Sequence, residues 1–153
     1  MLVVILTCAL LVSACMWLHF TVLRRLWAMT KMEPTVKRPL LMILFILFGL
    51  HMFEVFLYAI AISLHEVAGF GKLAGDVGQS SSWFSDHFYF SIASYTSLGI
   101  GDILPLGSLR MISGVEALNG LILISWSASF TYLVMERFWG EQHSNQSGRG
   151  GGA

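Results

Sequence analysis

Three apolar stretches constrain this chain more than any other feature of its sequence. They run from Leu2 to about Leu23, from Pro39 to about Leu64, and from about Leu109 to Trp139. Each is long enough to cross a bilayer, because about 20 helical residues span the hydrocarbon core. Of the 153 residues 56% are hydrophobic and 12% are charged, whereas a soluble domain has about 25% charged residues. The sequence therefore predicts an all-α integral membrane protein and argues against a soluble enzyme.

The charge balance and the cysteines remove further classes. Nine basic and nine acidic residues give zero formal net charge, whereas a nucleic-acid-binding face needs an excess of Lys and Arg. Cys8 and Cys15 lie one heptad apart in the first apolar stretch, with no spacing typical of disulfides or metal sites. We expect them to be packing residues, and we expect no nucleic-acid partner.

The basic residues predict the orientation in the membrane. Five of the nine lie in the connection between the first two stretches, and loops rich in Lys and Arg stay in the cytoplasm. The N-terminus and residues 65–108 are then outside and the C-terminus is inside. Because the first stretch has basic residues after it and none before it, we interpret it as a retained helix, not a cleaved signal peptide. The five residues are Arg24, Arg25, Lys31, Lys37 and Arg38.

Two segments outside the apolar stretches have compositions typical of irregular structure. The outward connection from Glu66 to Trp83 is rich in Gly and polar residues and has no strand alternation, so we predict a flexible loop. Residues 140–153 are rich in Gly and Ser and lack an apolar pattern, so we predict a disordered tail.

A fourth apolar stretch, Phe84 to Thr96, is too short to span the membrane and too apolar for an ordinary loop, which fits a re-entrant segment. It is followed by residues 97–102, Ser-Leu-Gly-Ile-Gly-Asp, which we call the filter segment. Glycines at alternate positions allow backbone dihedrals that point successive carbonyls to one side. A row of such oxygens can replace the hydration shell of a monovalent cation.

The filter segment is similar to the pore loop of the tetrameric potassium-channel superfamily, which usually reads Thr-Val-Gly-Tyr-Gly-Asp. Thr96 before it and Pro105 after it also fit that family. The resemblance extends over about 75 residues, from the second span through the third, and is greatest to bacterial channels with one extra N-terminal helix. The identical positions are Gly99, Gly101 and Asp102, and Ser97, Leu98 and Ile100 stand in the places of Thr, Val and Tyr.

The resemblance implies a homotetramer in a bacterial inner membrane, whose ligands are K⁺ or Na⁺ and whose other partners are lipids. It implies a peripheral helix and basic loop at 1–38, a pore domain at 39–139 with its pore loop at 86–102, and the tail at 140–153. No cofactor beyond the permeant ion is expected. The filter would run from Thr96 to Gly101, and potassium would bind at Ser97, Leu98, Gly99 and Ile100, with Asp102 at the outer mouth.

Two departures from the family pattern affect the filter. Ile100 replaces an aromatic residue, and Phe90 stands at the matching position of the pore helix, so the support behind the filter would be an apolar contact without a hydrogen bond. We therefore expect a softer filter with weaker discrimination between K⁺ and Na⁺. Ala93 stands where many members have a Glu that pairs with the filter Asp, so Asp102 needs another partner or remains solvated.

Polar residues inside the spans are costly and indicate function or buried hydrogen bonds. His51 and Glu54 share one helical face, and we judged this pair too small for a metal site. Glu116, which shares a face with Asn119, is expected to anchor the pore helix from behind. Gly120 is a candidate gating hinge, with close helix packing as the alternative.

The remaining polar residues suggest structural roles. Asp86 is expected to cap or complement the start of a pore helix at about 86–96. His65 and His87 lie near the outer surface, and we expect no sensing role for them. Hydrogen bonds to backbone or a place in the lower cavity are expected for Ser125, Ser127, Ser129 and Thr131.

Three alternatives to a potassium channel remain open from the sequence. One is a cation channel of little selectivity, because of Ile100. Another is a small membrane enzyme with a metal held by His51, Glu54 and Glu116. The last is a non-conducting scaffold that has kept a filter-like loop.

Overall fold

The computed structural model describes residues 1–30, 39–75 and 82–149. Three of its helices are long and apolar enough to cross a membrane, so the protein has the predicted all-α membrane architecture. A short helix and two short strands lie between the second and third of these. In chain order the elements are α1 (Leu2–Met29), α2 (Pro39–Val67), β1 (Gly71–Gly75), α3 (Trp83–Tyr95), β2 (Ile103–Gly107) and α4 (Leu109–Arg149).

Two apolar clusters pack the spanning helices against one another. The cluster that reaches α3 and the strands includes Cys8 and Cys15 of α1, both buried and both free thiols. A second cluster joins α1, α2 and α4 around Leu26, Leu47 and Phe130. These contacts place α1 against the other helices, and the two cysteines have the packing role expected of them.

Helix α3 begins earlier than the expected start at Asp86. Its N-cap is Ser82, whose hydroxyl accepts a hydrogen bond from the backbone N–H of Ser85 at 3.4 Å. At the N-cap of a helix, a Ser with extended backbone accepts a hydrogen bond from a backbone N–H group of the first turn that has no partner within the helix. Asp86 lies in that turn and is buried, so its part in complementing the helix dipole is retained while the cap itself is Ser82.

Part of the connection from Glu66 to Trp83 is a strand and not the flexible loop predicted above, while residues 76–81 lie outside the described part of the chain. Strand β1 pairs antiparallel with β2, in a register that joins Gly71 to Gly107 and Gly75 to Ile103. The prediction failed because five residues show little alternation and because the partner strand lies beyond α3 in the sequence. The two strands therefore form a small sheet that flanks the filter segment.

The prediction of a disordered tail from Gly140 is wrong for residues 140–149, which continue α4. Extending an existing helix costs much less than nucleating one, and Glu141 and Gln142 are good helix formers. Residues 150–153 lie outside the described part. The same is true of Lys31, Lys37 and Arg38, on which the predicted orientation partly depends.

Candidate functional site: the pore loop and a buried polar cluster

The C-terminus of α3 forms the start of the filter segment. Thr96 is the C-cap, and two hydrogen bonds close the helix end: Ser97 N–H donates to Ser94 O and Leu98 N–H donates to Ala93 O, each at 2.9 Å. This pair of bonds is the Schellman motif, which requires a left-handed residue directly after the C-cap. The helix end thus determines the conformation at the first filter position.

The filter segment has a left-handed residue at every second position. The φ angles are +56° at Ser97, +57° at Gly99 and +87° at Gly101, and Ser97 is the one non-glycine residue with positive φ in the part of the chain described. Glycine adopts this region freely, whereas serine there is strained. Strain of this kind is characteristic of functional sites. The alternation is the one predicted from the spacing of the glycines.

Asp102 has a hydrogen-bond partner that the sequence did not identify. The hydroxyl of Tyr89 in α3 donates to its Oδ2 at 2.8 Å, and the backbone N–H of Ile103 donates to Oδ1 at 2.9 Å. Tyr89 lies one turn before Ala93, so a phenol reaches the carboxylate from a different position of the same helix. This hydrogen bond raises the pKa of Tyr89 above its ordinary value.

A groove of about 290 Å³ lies behind the filter segment and is lined by both Phe90 and Ile100. Phe90 is buried, whereas Ile100 is 56% exposed and Leu98 is 63% exposed in the single chain. The expected Phe90–Ile100 contact is therefore a prediction about the assembled protein. Across the groove, the hydroxyls of Ser94 and Ser113 are hydrogen-bonded at 3.0 Å and join α3 to α4.

Gly120 lies where α4 meets the end of α3. A Cβ built at this position would lie 2.1 Å from the carbonyl oxygen of Tyr95 and 2.9 Å from its ring. Helix α4 runs unbroken through this point. The close approach supports the packing role of Gly120, and its role as a hinge stays a prediction.

Glu116 is fully buried on the face of α4 that contacts α3. Its carboxyl group lies near the hydroxyl of Ser91 in α3, but neither group makes a hydrogen bond among the described residues. Its role as an anchor of the pore helix stays a prediction. One turn further along α4, Asn119 Nδ2 donates to the hydroxyl of Tyr58 at 3.2 Å. These contacts connect α4 to both α3 and α2 inside the protein.

A cluster of five polar side chains lies among the four helices, and it contains the His51–Glu54 pair. We name it the polar cluster: His19 of α1, His51 and Glu54 of α2, Tyr95 of α3 and Ser127 of α4. His19 and Glu54 are fully buried. Donor atoms of His19, His51 and Glu54 lie within 4.8 Å of one another. The prediction that the pair has too few companions for a metal site did not take His19 into account, which α1 supplies as a third possible ligand.

The remaining predicted residues have local partners. His65 Nδ1 lies 2.8 Å from Ala61 O, and His87 Nε2 lies 2.6 Å from Glu66 Oε2. Glu66 also accepts from the N–H of Leu73, so it joins the end of α2 to α3 and β1. As expected, three hydroxyls of α4 donate to carbonyls one turn back, while Ser127 Oγ contacts two histidines. The three are Ser125, Ser129 and Thr131.

The sequence missed three residues of these sites for different reasons. Tyr89 could be found from its helical spacing to Ala93. His19 could not, because it lies 35 residues from Glu54 in a separate helix. Tyr95 was treated as part of an apolar run, although its hydroxyl donates to Glu54 Oε2 at 2.6 Å.

A short helix that ends in alternating left-handed residues, between two membrane-crossing helices, defines a pore-loop membrane protein. Residues 62–137 match the model of a family described as ion channel. This segment is therefore an ion-channel domain of the potassium-channel superfamily, and the three apolar helices make the chain an integral membrane protein. No curated protein and no solved structure matches it.

Proposed function

We propose that the chain forms a homotetrameric, potassium-type cation channel in which residues 96–101 line the conduction path. The observation that carries the proposal is the alternation of positive φ at Ser97, Gly99 and Gly101, directly after the C-terminus of α3. Alternate left-handed residues are the backbone arrangement that turns successive carbonyls to one side, where they can replace water around K⁺. The C-terminal end of α3 adds a partial negative charge that favours a cation.

The single pore loop of the chain supports the proposed tetramer. One chain supplies one row of carbonyls, and four rows around an axis would complete each ring of ligands. The apolar side chains of Leu98 and Ile100 support assembly, because more than half of each is uncovered in the single chain. Closed symmetric assembly would cover such surfaces. In this arrangement α4 lines the pore, α2 packs outside it and α1 is peripheral.

The orientation belongs to the same proposal. Arg24 and Arg25 lie in the last part of α1, and the positive-inside rule favours a cytoplasmic position for this end of the helix. The filter segment and the β1–β2 sheet would then face outward, in a bacterial inner membrane.

A weakly selective cation channel is the second candidate, and one residue favours it. Ile100 has no polar atom with which to hold the filter, and the residue facing the same groove, Phe90, has none either. A filter without a hydrogen bond at this level resists the smaller Na⁺ less well. Both candidates conduct monovalent cations through the same backbone, and they differ in the ratio of K⁺ to Na⁺ flux.

Flux into liposomes that contain the purified chain tests the proposal. We expect uptake of K⁺ above that of protein-free liposomes, and we expect Gly99→Ala to reduce it at least about tenfold, because Ala at φ of +57° is strained. Gly114→Ala is the matched control, since a Cβ there meets nothing within 4 Å. Equal fluxes from wild type and Gly99→Ala would contradict the proposed path.

A further inference from the structure

The polar cluster brings several possible metal ligands together. Both histidines present Nδ1 to the same carboxylate: His19 Nδ1 lies 3.0 Å from Glu54 Oε1, and His51 Nδ1 lies 3.2 Å from Glu54 Oε2. The hydroxyl of Tyr95 lies 2.9 Å from His51 Nδ1 and donates to Glu54 at 2.6 Å. Two imidazole nitrogens, a carboxylate and a phenol therefore converge on one point between α1, α2 and α3.

The other nitrogen of each ring contacts a single hydroxyl. Ser127 Oγ lies 3.1 Å from His19 Nε2 and 3.0 Å from His51 Nε2. Histidines that bind a metal through one nitrogen usually bond the other to a polar group that fixes the ring. The polar cluster has this arrangement twice, with one serine serving both rings.

We propose that His19, His51 and Glu54 form a binding site for a divalent transition-metal ion of the Zn²⁺ class, with the Tyr95 hydroxyl at the fourth position. Imidazole and carboxylate together suit Zn²⁺, Co²⁺ and similar ions, whereas Ca²⁺ and Mg²⁺ require oxygen ligands. Tetrahedral Zn²⁺ with bonds of about 2.0 Å places its ligand atoms about 3.3 Å apart. The two His–Glu separations of 3.0 and 3.2 Å are within a few tenths of an ångström of this value, and the ligand atoms of all three residues lie within 4.8 Å of one another.

The burial of the polar cluster also suits a bound metal ion. His19 and Glu54 are fully buried, so an ion bound there is removed from competing water, and the carboxylate offsets part of its charge. The side chain of His51 is 16% exposed in the single chain, so the chain itself does not close this edge of the cluster. The proposal is independent of conduction, since binding is measured without any flux.

The test uses the full chain, without a histidine tag, in detergent. Co²⁺ serves as the probe, because tetrahedral coordination by nitrogen and oxygen gives strong visible absorption that the hydrated ion lacks. We expect this spectrum with one ion per chain, displaced by Zn²⁺, and we expect Glu54→Gln to abolish it. Glu54→Gln keeps the size of the side chain, and circular dichroism confirms that the variant is helical.

A second pair of variants separates ligation from a structural role. Ser127→Ala removes only the hydroxyl that orients both rings, and we expect it to weaken Co²⁺ binding about 10- to 100-fold. Ser125→Ala is the matched control, because its hydroxyl donates only to Leu121 O, and it should bind as wild type does. The proposal is overturned by a wild type without the tetrahedral spectrum. It is also overturned if the spectrum persists in Glu54→Gln, or if both serine variants bind equally well.

Discussion

At the scale of single residues, Gly120 determines how closely α4 can approach α3. Its missing side chain leaves room for the backbone of Tyr95, whose carbonyl oxygen would lie 2.1 Å from a Cβ. Gly120→Ala should therefore lower the stability of the folded protein by about 1–3 kcal/mol, as overpacked cores do. The shift of the thermal unfolding midpoint in detergent measures this. Gly114→Ala lies on the same helix with open space around it, and equal shifts for both variants would contradict the packing account.

Tyr89 holds the carboxylate of Asp102 at the end of the filter segment. We expect Tyr89→Phe to reduce K⁺ flux a few-fold, because Asp102 then keeps only its bond from the N–H of Ile103. The measurement is flux in liposomes beside wild type. Tyr132→Phe is a matched control on an exposed tyrosine of α4, and an effect of the same size there would count against a specific role for Tyr89.

The hydrogen bond between Tyr89 and Asp102 also predicts how K⁺ flux depends on pH. The bond to Asp102 raises the pKa of Tyr89 above its usual value of about 10. The contribution of this hydrogen bond to stability is thus fully present below the ordinary pKa of tyrosine. It is lost only as the pH rises through the raised pKa of Tyr89. Between about pH 7 and pH 9, the ratio of wild-type to Tyr89→Phe flux should stay constant. A ratio that changes across this range would show that the phenol titrates there.

In our proposal, Ile100 is the residue that limits how firmly the filter is supported. In Ile100→Tyr a phenol replaces the apolar side chain, and a hydrogen bond within the assembled protein would be worth about 1 kcal/mol in each of four copies. We expect the permeability ratio of K⁺ to Na⁺ to rise. Reversal potentials in mixed ions measure it, with Ile100→Leu as the control that keeps the side chain apolar. Strong and equal potassium selectivity in wild type and Ile100→Tyr would contradict the softer filter.

At the scale of elements, the β1–β2 sheet packs against the backbone of the filter segment. Gly75 has a φ of +127°, and a Cβ there would lie 2.0 Å from Asp102 O. Gly75→Ala should therefore disturb the filter segment, whereas Gly69→Ala has the strain of positive φ but open space around it. We expect Gly75→Ala to lose more K⁺ flux and more thermal stability than Gly69→Ala. Equal losses would mean that the sheet does not support the filter.

The elements differ in how far the sequence predicted them. The spans and α3 followed from apolar runs of characteristic length, and the left-handed positions at Gly99 and Gly101 followed from the spacing of glycines. The N-cap of α3 at Ser82 and the strand at Gly71–Gly75 did not. The strand depends on pairing with β2, which is distant in sequence. The N-cap depends on a single hydroxyl, so local composition predicts neither feature.

At the scale of the whole molecule, the polar cluster connects α1 to the rest of the protein. His19 extends from α1 to Glu54 of α2 and Ser127 of α4, and Tyr95 joins the same group directly before the filter segment. The sequence could indicate that His51 and Glu54 share a face, because they are one turn apart. It could not bring His19 to them, since that contact depends on how two separate helices pack.

Metal binding to the polar cluster should also change the stability of the protein. A metal ion bound by His19, His51 and Glu54 would cross-link α1 and α2 beside Tyr95. Binding to the folded state alone raises its stability in proportion to the logarithm of the ion concentration. We expect the thermal unfolding midpoint to rise with added Zn²⁺ in wild type and to stay constant in Glu54→Gln. A rise of equal size in both would place the ion elsewhere on the protein.

The reversal potential of the purified chain in a planar bilayer, with K⁺ on one side and Na⁺ on the other, tests the central claim most directly. Conduction through the backbone of residues 96–101 predicts a current that reverses toward the potassium equilibrium potential and is lost in Gly99→Ala. A smaller displacement in the same direction would identify the weakly selective channel. No current above that of the bare bilayer, or one that Gly99→Ala leaves unchanged, would contradict the account.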